Sequence, residues 1–198
     1  MHRNVLEYLE ETVKRVPDKI AFANDKTQLT FQQFSDDIRA IGSELIRKGY
    51  QKEPVLIYMN KSPEALEGFF GVIESGCFYV PLDEEMPKRR IELIIENTKA
   101  RVIICDQENL KRVKELPFDG EIMLHEELAK KREDKEKLDK VRRTALDTDP
   151  LYVLFTSGST GMPKGVVGHH RGVIDYIDQL SAVLDFDEES VFCLLYTS

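Results

Sequence analysis

The sequence predicts an α/β fold in which a mostly parallel sheet is flanked by helices. Three observations support this prediction. Short apolar runs alternate with longer segments of helical apolar spacing over residues 55–105. Glycine or proline punctuates the ends of several of these segments. The 198 residues are 41% hydrophobic and 32% charged, which suffices for one real core, so we expect one soluble domain or part of one.

Apolar spacing and end signals define the individual elements. Thr30 followed by Gln33 forms a capping box at the start of the clearest helix, and Ser62-Pro63 opens the next one. Gly49 and Gly76 are the expected stops of these two helices. The predicted strands are 20–23, 55–59, 77–82 and 101–105, and the predicted helices are 5–16, 30–49, 62–76 and 87–97. The β-α-β-α-β rhythm implies parallel strands.

A densely charged segment follows at residues 126–143. Glutamates precede lysines by four residues at 126/130, 127/131, 133/137 and 136/140, which supports an exposed helix. We interpret the segment as a solvated helix or mobile connection and assign it no chemistry. Residues 147–150 then form a turn-like break, where the domain of residues 1–192 has a plausible subdivision.

Composition argues against several classes of protein. The net charge of −8 is unlike that of a nucleic-acid-binding surface. Cys77, Cys105 and Cys193 are too few and too far apart for a disulfide framework or a metal site, so we predict none. No stretch approaches the roughly 20 apolar residues that span a bilayer, and no secretory signal is evident. We expect a cytoplasmic protein that has no membrane or nucleic-acid partner, in which Cys77 is buried and His2, His125, His169 and His170 have no catalytic role.

Residues 151–165 carry the chemistry: an apolar strand leads into a loop rich in glycine and hydroxyl groups that contains one lysine. Glycine permits close backbone approach, so amide groups can point at anionic oxygens. Hydroxyl side chains add donors, and Lys164 supplies a flexible positive charge. The candidate phosphate-binding residues are Thr156, Ser157, Gly158, Ser159, Thr160, Gly161 and Lys164. Helical spacing over 172–184 predicts a helix whose N-terminus lies close behind the loop and adds its dipole to the site.

The loop does not fit the two commonest phosphate-binding patterns. A Walker A loop requires Ser or Thr after its lysine, and here Gly165 follows Lys164. The dinucleotide pattern G-x-G-x-x-G is absent as well. A flexible connection remains the alternative interpretation of a Gly/Ser/Thr stretch on its own.

The whole run 151–166 closely resembles the phosphate-binding signature of the adenylate-forming superfamily, which includes acyl-CoA synthetases, luciferases and amino-acid adenylation domains. Two weaker motifs agree in order. Leu29-Thr30-Phe31 with Gln33-Phe34 is similar to the first core motif of adenylation domains. Residues 75–83, followed by Pro87, Arg90 and Ile91, are similar to the second, and Tyr79-Val80-Pro81-Leu82-Asp83 favours the nonribosomal peptide synthetase and D-alanine ligase branch.

The resemblance implies that Thr156 to Gly161 and Lys164 bind the β- and γ-phosphates of ATP, with Mg²⁺, while a carboxylate attacks the α-phosphate and expels pyrophosphate. The carboxylate would come from a small acid, in this branch an amino acid, and the acyl-adenylate would later meet the thiol of a carrier-bound phosphopantetheine or of coenzyme A. An acyl-CoA synthetase, a non-catalytic nucleotide-binding module and a small α/β protein with a passive loop remain alternatives.

The resemblance covers essentially residues 1–190 and implies the N-terminal part of a larger, incomplete adenylate-forming domain. The family's catalytic lysine would lie beyond the chain end, so no catalytic residue is present and we expect this chain alone to be inactive. Residues 193–198 are what the codons TGT CTC TTA TAC ACA TCT would encode, which is the transposase end sequence used in sequencing libraries. We therefore interpret them as an adapter-derived tail, with a native β-strand as the alternative.

Overall fold

A six-stranded sheet organises the chain. The computed structural model describes residues 2–156, 162–184, 187 and 190–192. Its elements in chain order are α1 Leu6–Arg15, β1 Ile20–Ala23, β2 Gln28–Thr30, α2 Phe31–Arg47, β3 Pro54–Tyr58, α3 Pro63–Glu74, β4 Phe78–Leu82, α4 Lys88–Thr98, β5 Val102–Cys105, α5 Leu110–Lys114, β6 Glu121–Leu124, α6 His125–Leu128, α7 Lys135–Thr144, β7 Pro150–Thr156, β8 Lys164–His169 and α8 His170–Val183.

The strand order in the main sheet is β6-β5-β3-β4-β7-β8. All neighbouring strands are parallel except β7 and β8, which form an antiparallel pair at one edge. Strands β1 and β2 form a separate antiparallel pair. The predicted α/β class with a mostly parallel sheet is confirmed.

The two faces of the sheet bury different residues of the same strands. Val55 and Ile57 of β3 pack with Ile41 and Leu45 of α2 on one face. On the other face, Leu56 of β3 packs with Ile91 and Ile94 of α4. This alternation follows from the period of two in a strand, and burial on both faces explains why the central strands are continuously apolar.

The predicted end signals operate at α2 and α3. The Thr30 hydroxyl accepts the Gln33 amide, and the Gln33 side chain accepts the Thr30 amide, which completes the capping box. The Ser62 side chain caps α3. Gly49 and Gly76 have φ values of +84° and +77°, a conformation that glycine adopts without the penalty of a Cβ.

The charged segment is more closely packed than predicted. Instead of one exposed helix or a mobile connection, it forms α6 and α7 with a break between them. Leu138 is buried, and Arg142 forms ion pairs with Glu10 and Glu74. Glu133 pairs with Arg39 of α2 instead of Lys137. Most of the segment is nevertheless exposed, as the solvated interpretation predicts, and only one side of α7 docks on the helical layer.

Two further elements, α5 and β6, lie in a stretch where the sequence has no clear periodic pattern. β7, which follows the break at 147–150, pairs with β4 of the main sheet. None of the helices described is long and apolar enough to cross a bilayer.

Candidate phosphate-binding site

The β7–β8 hairpin brings the two ends of the predicted phosphate loop together. Thr156, the last residue of β7, is the register partner of Lys164, the first residue of β8. The Thr156 hydroxyl also lies 3.5 Å from the Lys164 carbonyl oxygen, at the long limit of a hydrogen bond. The five other predicted residues, 157–161, lie outside the described residues. The hairpin therefore holds a hydroxyl and a cation at the mouth of the loop.

The helix dipole does not act where it was predicted. The loop is followed by strand β8, which sequence analysis missed, and α8 begins only at His170. Because β8 runs antiparallel to β7, His169 lies opposite Pro150, at the end of the hairpin away from the loop. Six strand residues at roughly 3.3 Å each separate the loop from the α8 N-terminus. The expected contribution of this dipole to the anion site is therefore wrong.

The loop leaves the sheet at the carboxyl edge of the parallel strands. In open α/β sheets this is the edge at which ligands bind. Polar side chains also follow the neighbouring strands there: Asn60 after β3, Asp83 after β4 and Asp106 after β5. The backbone amide of Asn60 donates to the Asp106 carboxylate at 3.0 Å, which connects two of these strand ends.

Arg90 is a contact of the hairpin to which sequence reasoning gave no role. It lies in the first turn of α4 and is half-buried. Its Nη2 donates to the Phe155 carbonyl oxygen at 2.9 Å, one residue before Thr156. The available signal was the position of Arg90 in the second motif, but the motif alone does not say what the side chain contacts.

The two histidines next to the hairpin, His169 and His170, make structural hydrogen bonds. Burial lowers the pKa of His170 to about 4, against an opposing effect of Asp149. His170 Nδ1 accepts the Val5 amide at 3.3 Å. The exposed His169 donates from Nδ1 to the Thr148 carbonyl oxygen at 2.7 Å. His170 is thus a packed side chain at the end of the hairpin away from the loop.

His125 belongs to a buried group of ionisable side chains away from the hairpin. It is buried, with Nε2 2.8 Å from Oε2 of the buried Glu67. Asp37 of α2 completes this group, and its pKa is raised to about 7, first by burial and then by the neighbouring Glu67 charge. This group of two acids and a histidine lies within the helical layer and contributes nothing to the loop.

Cys77 is buried, as predicted, and burial raises the pKa of its thiol. Among the described residues, no group of three or more His, Cys, Asp or Glu side chains is arranged to hold a metal ion.

Comparison with known proteins identifies the family of this chain. The model of the family described as AMP-binding enzyme matches residues 9–198. The chain belongs to this family. It is 31% identical over 187 residues to a mycosubtilin synthase of Bacillus subtilis, covering 94% of this chain and 7% of that protein. It is 26% identical to tyrocidine synthase 1 of Brevibacillus parabrevis, covering 86% of this chain and 16% of the relative.

Solved structures with the same architecture include two that match most of this chain. The N-terminal subdomain of Klebsiella oxytoca NpsA matches with a TM-score of 0.71 and 25% identity, covering 86% of this chain and 43% of that one. VinN matches with a TM-score of 0.78 and 20% identity, covering 94% and 51%. The chain thus spans about half of these solved chains and a small part of the synthases. The resemblance to adenylation domains of peptide synthetases is confirmed.

Proposed function

We propose that this chain is the N-terminal, ATP-phosphate-binding part of an enzyme that activates a carboxylic acid as its acyl-adenylate. The pairing of Thr156 with Lys164 across the β7–β8 hairpin carries the proposal. The family supplies the reaction class, and the motif at Tyr79 to Asp83, together with relatives among peptide synthases, favours an amino acid as the acid.

The chemistry of the two described site residues suits the phosphates of ATP. Lys164 provides a mobile ammonium that can neutralise phosphate charge, and the Thr156 hydroxyl can donate to a phosphate oxygen. Residues 157–161 would add hydroxyl and amide donors in the same loop. Mg²⁺, held chiefly by the phosphate oxygens themselves, would withdraw charge from them.

The proposed reaction is a displacement at the α-phosphorus. A carboxylate oxygen forms a bond to that phosphorus, and the bond between the α-phosphorus and its bridging oxygen to the β-phosphate breaks. Pyrophosphate leaves with the electron pair. Charge accumulates on the leaving group, so a lysine at the β- and γ-phosphates stabilises the transition state by electrostatics and positioning. The mixed anhydride is then ready for attack by a thiol, which we assign to a phosphopantetheine arm.

Binding of ATP tests the first part of this proposal. We expect Lys164→Ala to weaken ATP affinity by tenfold or more, because a charge-assisted contact is worth about 1.5–3 kcal/mol. Isothermal titration calorimetry with Mg²⁺ and ATP measures it, and ATP should also protect residues 157–163 from subtilisin. Lys111→Ala, an exposed lysine of α5, is the matched control and should leave both results unchanged. Equal affinities of the two variants would contradict a phosphate site at the hairpin.

Turnover tests the second part. None of the residues assigned to the site is the catalytic lysine that the resemblance implies, so we expect no pyrophosphate exchange from this chain. Clear exchange would contradict that expectation. A longer protein that carries the continuation of the chain should exchange pyrophosphate with an amino acid, whereas a preference for fatty acids would favour the acyl-CoA synthetase branch.

A further inference from the structure

The contact between Arg90 and the Phe155 carbonyl connects α4 to the base of the phosphate loop. The two residues are 65 positions apart in sequence, and their hydrogen bond measures 2.9 Å. Phe155 directly precedes Thr156, so its carbonyl belongs to the peptide bond between these two residues. The position of this peptide bond sets the direction in which the chain enters the loop.

The described pairing of β4 with β7 is short. The ladder between β4 and β7 in the described residues consists of the single pair Tyr79–Tyr152, three residues short of Phe155. Farther along β4, Pro81 has no amide hydrogen to donate. Phe155 remains in register with Gly165 of β8 on one side of β7, and the guanidinium of Arg90 provides a hydrogen bond to its carbonyl beyond the described register pair with β4.

The position of Arg90 is unfavourable for the helix that carries it. Lys88, Arg89 and Arg90 open α4, and its first turn contains no acidic residue. A helix N-terminus favours negative charge, so three cations there oppose the helix dipole. Arg89 is compensated by Glu92 at 3.2 Å. Within the described part of the chain, Arg90 has no carboxylate at ion-pair distance and donates instead to the Phe155 carbonyl. The helix therefore carries an unfavourable positive charge at the position from which Arg90 reaches the candidate site. Such an exception to a local preference is typical of a functional constraint.

We propose that Arg90 is a positioning residue for the phosphate loop: its hydrogen bond to Phe155 fixes the end of β7 and thereby the direction in which Thr156 enters the loop. This inference rests on the proposed function and extends it from the loop to α4. Arg90 acts through the backbone of β7, so its donor matters more than its charge.

Two substitutions separate donor from charge. Arg90→Gln removes the charge but keeps an amide that can donate to a carbonyl. Arg90→Met keeps an unbranched side chain and removes every donor. We expect Arg90→Met to weaken ATP affinity about tenfold and Arg90→Gln to stay within about threefold of the wild-type chain, both measured by calorimetry. Arg89→Met, one residue earlier in the same turn, should leave ATP affinity unchanged.

A ligand-free measurement completes the test. We expect subtilisin to cleave residues 157–163 of Arg90→Met several-fold faster than those of the wild-type chain, with Arg90→Gln close to wild type. Equal losses of ATP affinity in Arg90→Gln and Arg90→Met would overturn the inference and indicate that the charge itself acts on phosphate. Unchanged cleavage and affinity in Arg90→Met would also overturn it.

The outcome for Lys164→Ala separates this inference from the proposed function. If Lys164→Ala loses ATP affinity while Arg90→Met does not, the positioning role fails and the phosphate site stands. If Lys164→Ala changes nothing while Arg90→Met exposes the loop to subtilisin, the phosphate site fails and the anchoring of the loop by Arg90 stands.

Discussion

Strand β5 and strand β8 belong to the same sheet but have very different surroundings. All four residues of β5 are buried, between α4 on one face and the α2–α3 layer on the other. In β8, five of six residues are exposed, including Val166 and Val167. The interior of the sheet therefore has buried apolar packing on both faces, whereas β8, which begins with Lys164, has no buried residue, and β7 buries Leu151 and Val153 but exposes Thr156. In this molecule the candidate binding residues lie where packing contributes least.

Large-to-small substitutions in the two strands test this division most directly. We expect Ile104→Ala in β5 to lower the free energy of unfolding by about 3 kcal/mol, because it removes a fully buried side chain and leaves a cavity. Val166→Ala, whose side chain is 55% exposed, should cost less than about 0.5 kcal/mol. Urea denaturation measures both. Comparable losses would show that β8 is buried in solution against another surface.

Acidification tests the anchor of the hairpin. His170 follows β8 directly, and its folded-state pKa of about 4 lies below the ordinary value of 6.5. The unfolded chain therefore binds more protons between pH 6.5 and pH 4, so stability falls as the pH is lowered through this window. Protonation would also place a hydrogen on Nδ1, which now accepts the Val5 amide.

We expect the wild-type chain to lose about 2 kcal/mol more stability than His170→Asn between about pH 7 and about pH 4.5. Urea denaturation at the two pH values measures the difference. His169→Asn, at an exposed histidine one residue earlier, is the matched control substitution. Parallel profiles for the wild type and His170→Asn would contradict the buried, neutral state of His170.

The same division explains what the sequence could predict. The elements of the buried interior are predictable because their signals are local: apolar spacing along α2, the capping box at Thr30 and Gln33, and a continuous apolar run in β3. Strand β8 was missed because Lys164–His169 contains two glycines and only two β-branched residues, a composition that resembles a loop. Its existence depends on pairing with β7, which is a tertiary property.

The kind of site was predictable from the sequence, but the contacts that hold it in place were not. The loop motif indicated Thr156 and Lys164 from their residue types and spacing. The contact of Arg90 with Phe155 spans 65 residues, and His125 and Glu67 are similarly distant in sequence, so no periodicity in a short window could reveal either contact. The break between α6 and α7 was missed for a similar reason, because Glu133 lies in this break and pairs with Arg39 of α2 and not with Lys137.

The helical layer should respond to pH in the opposite direction from the hairpin, with the smallest effect of the three. The raised pKa of Asp37, about 7 against an ordinary 3.8, means that the folded state binds more protons between these two pH values. Stability therefore falls as the pH rises through this window, because Asp37 ionises beside Glu67. A shift of this size corresponds to about 4 kcal/mol for a fully buried group. Asp37 is only half-buried and solvent screens its charge, so we expect Asp37→Asn to be about 1 kcal/mol more stable than the wild type at about pH 8 and nearly equal to it at about pH 4, by urea denaturation. Asp36→Asn, an exposed neighbour on α2, should show no such gain. A loss of stability in Asp37→Asn at the higher pH would instead mean that the ionised Asp37 carboxylate stabilises this layer, and that the layer, like the hairpin, weakens when acidified.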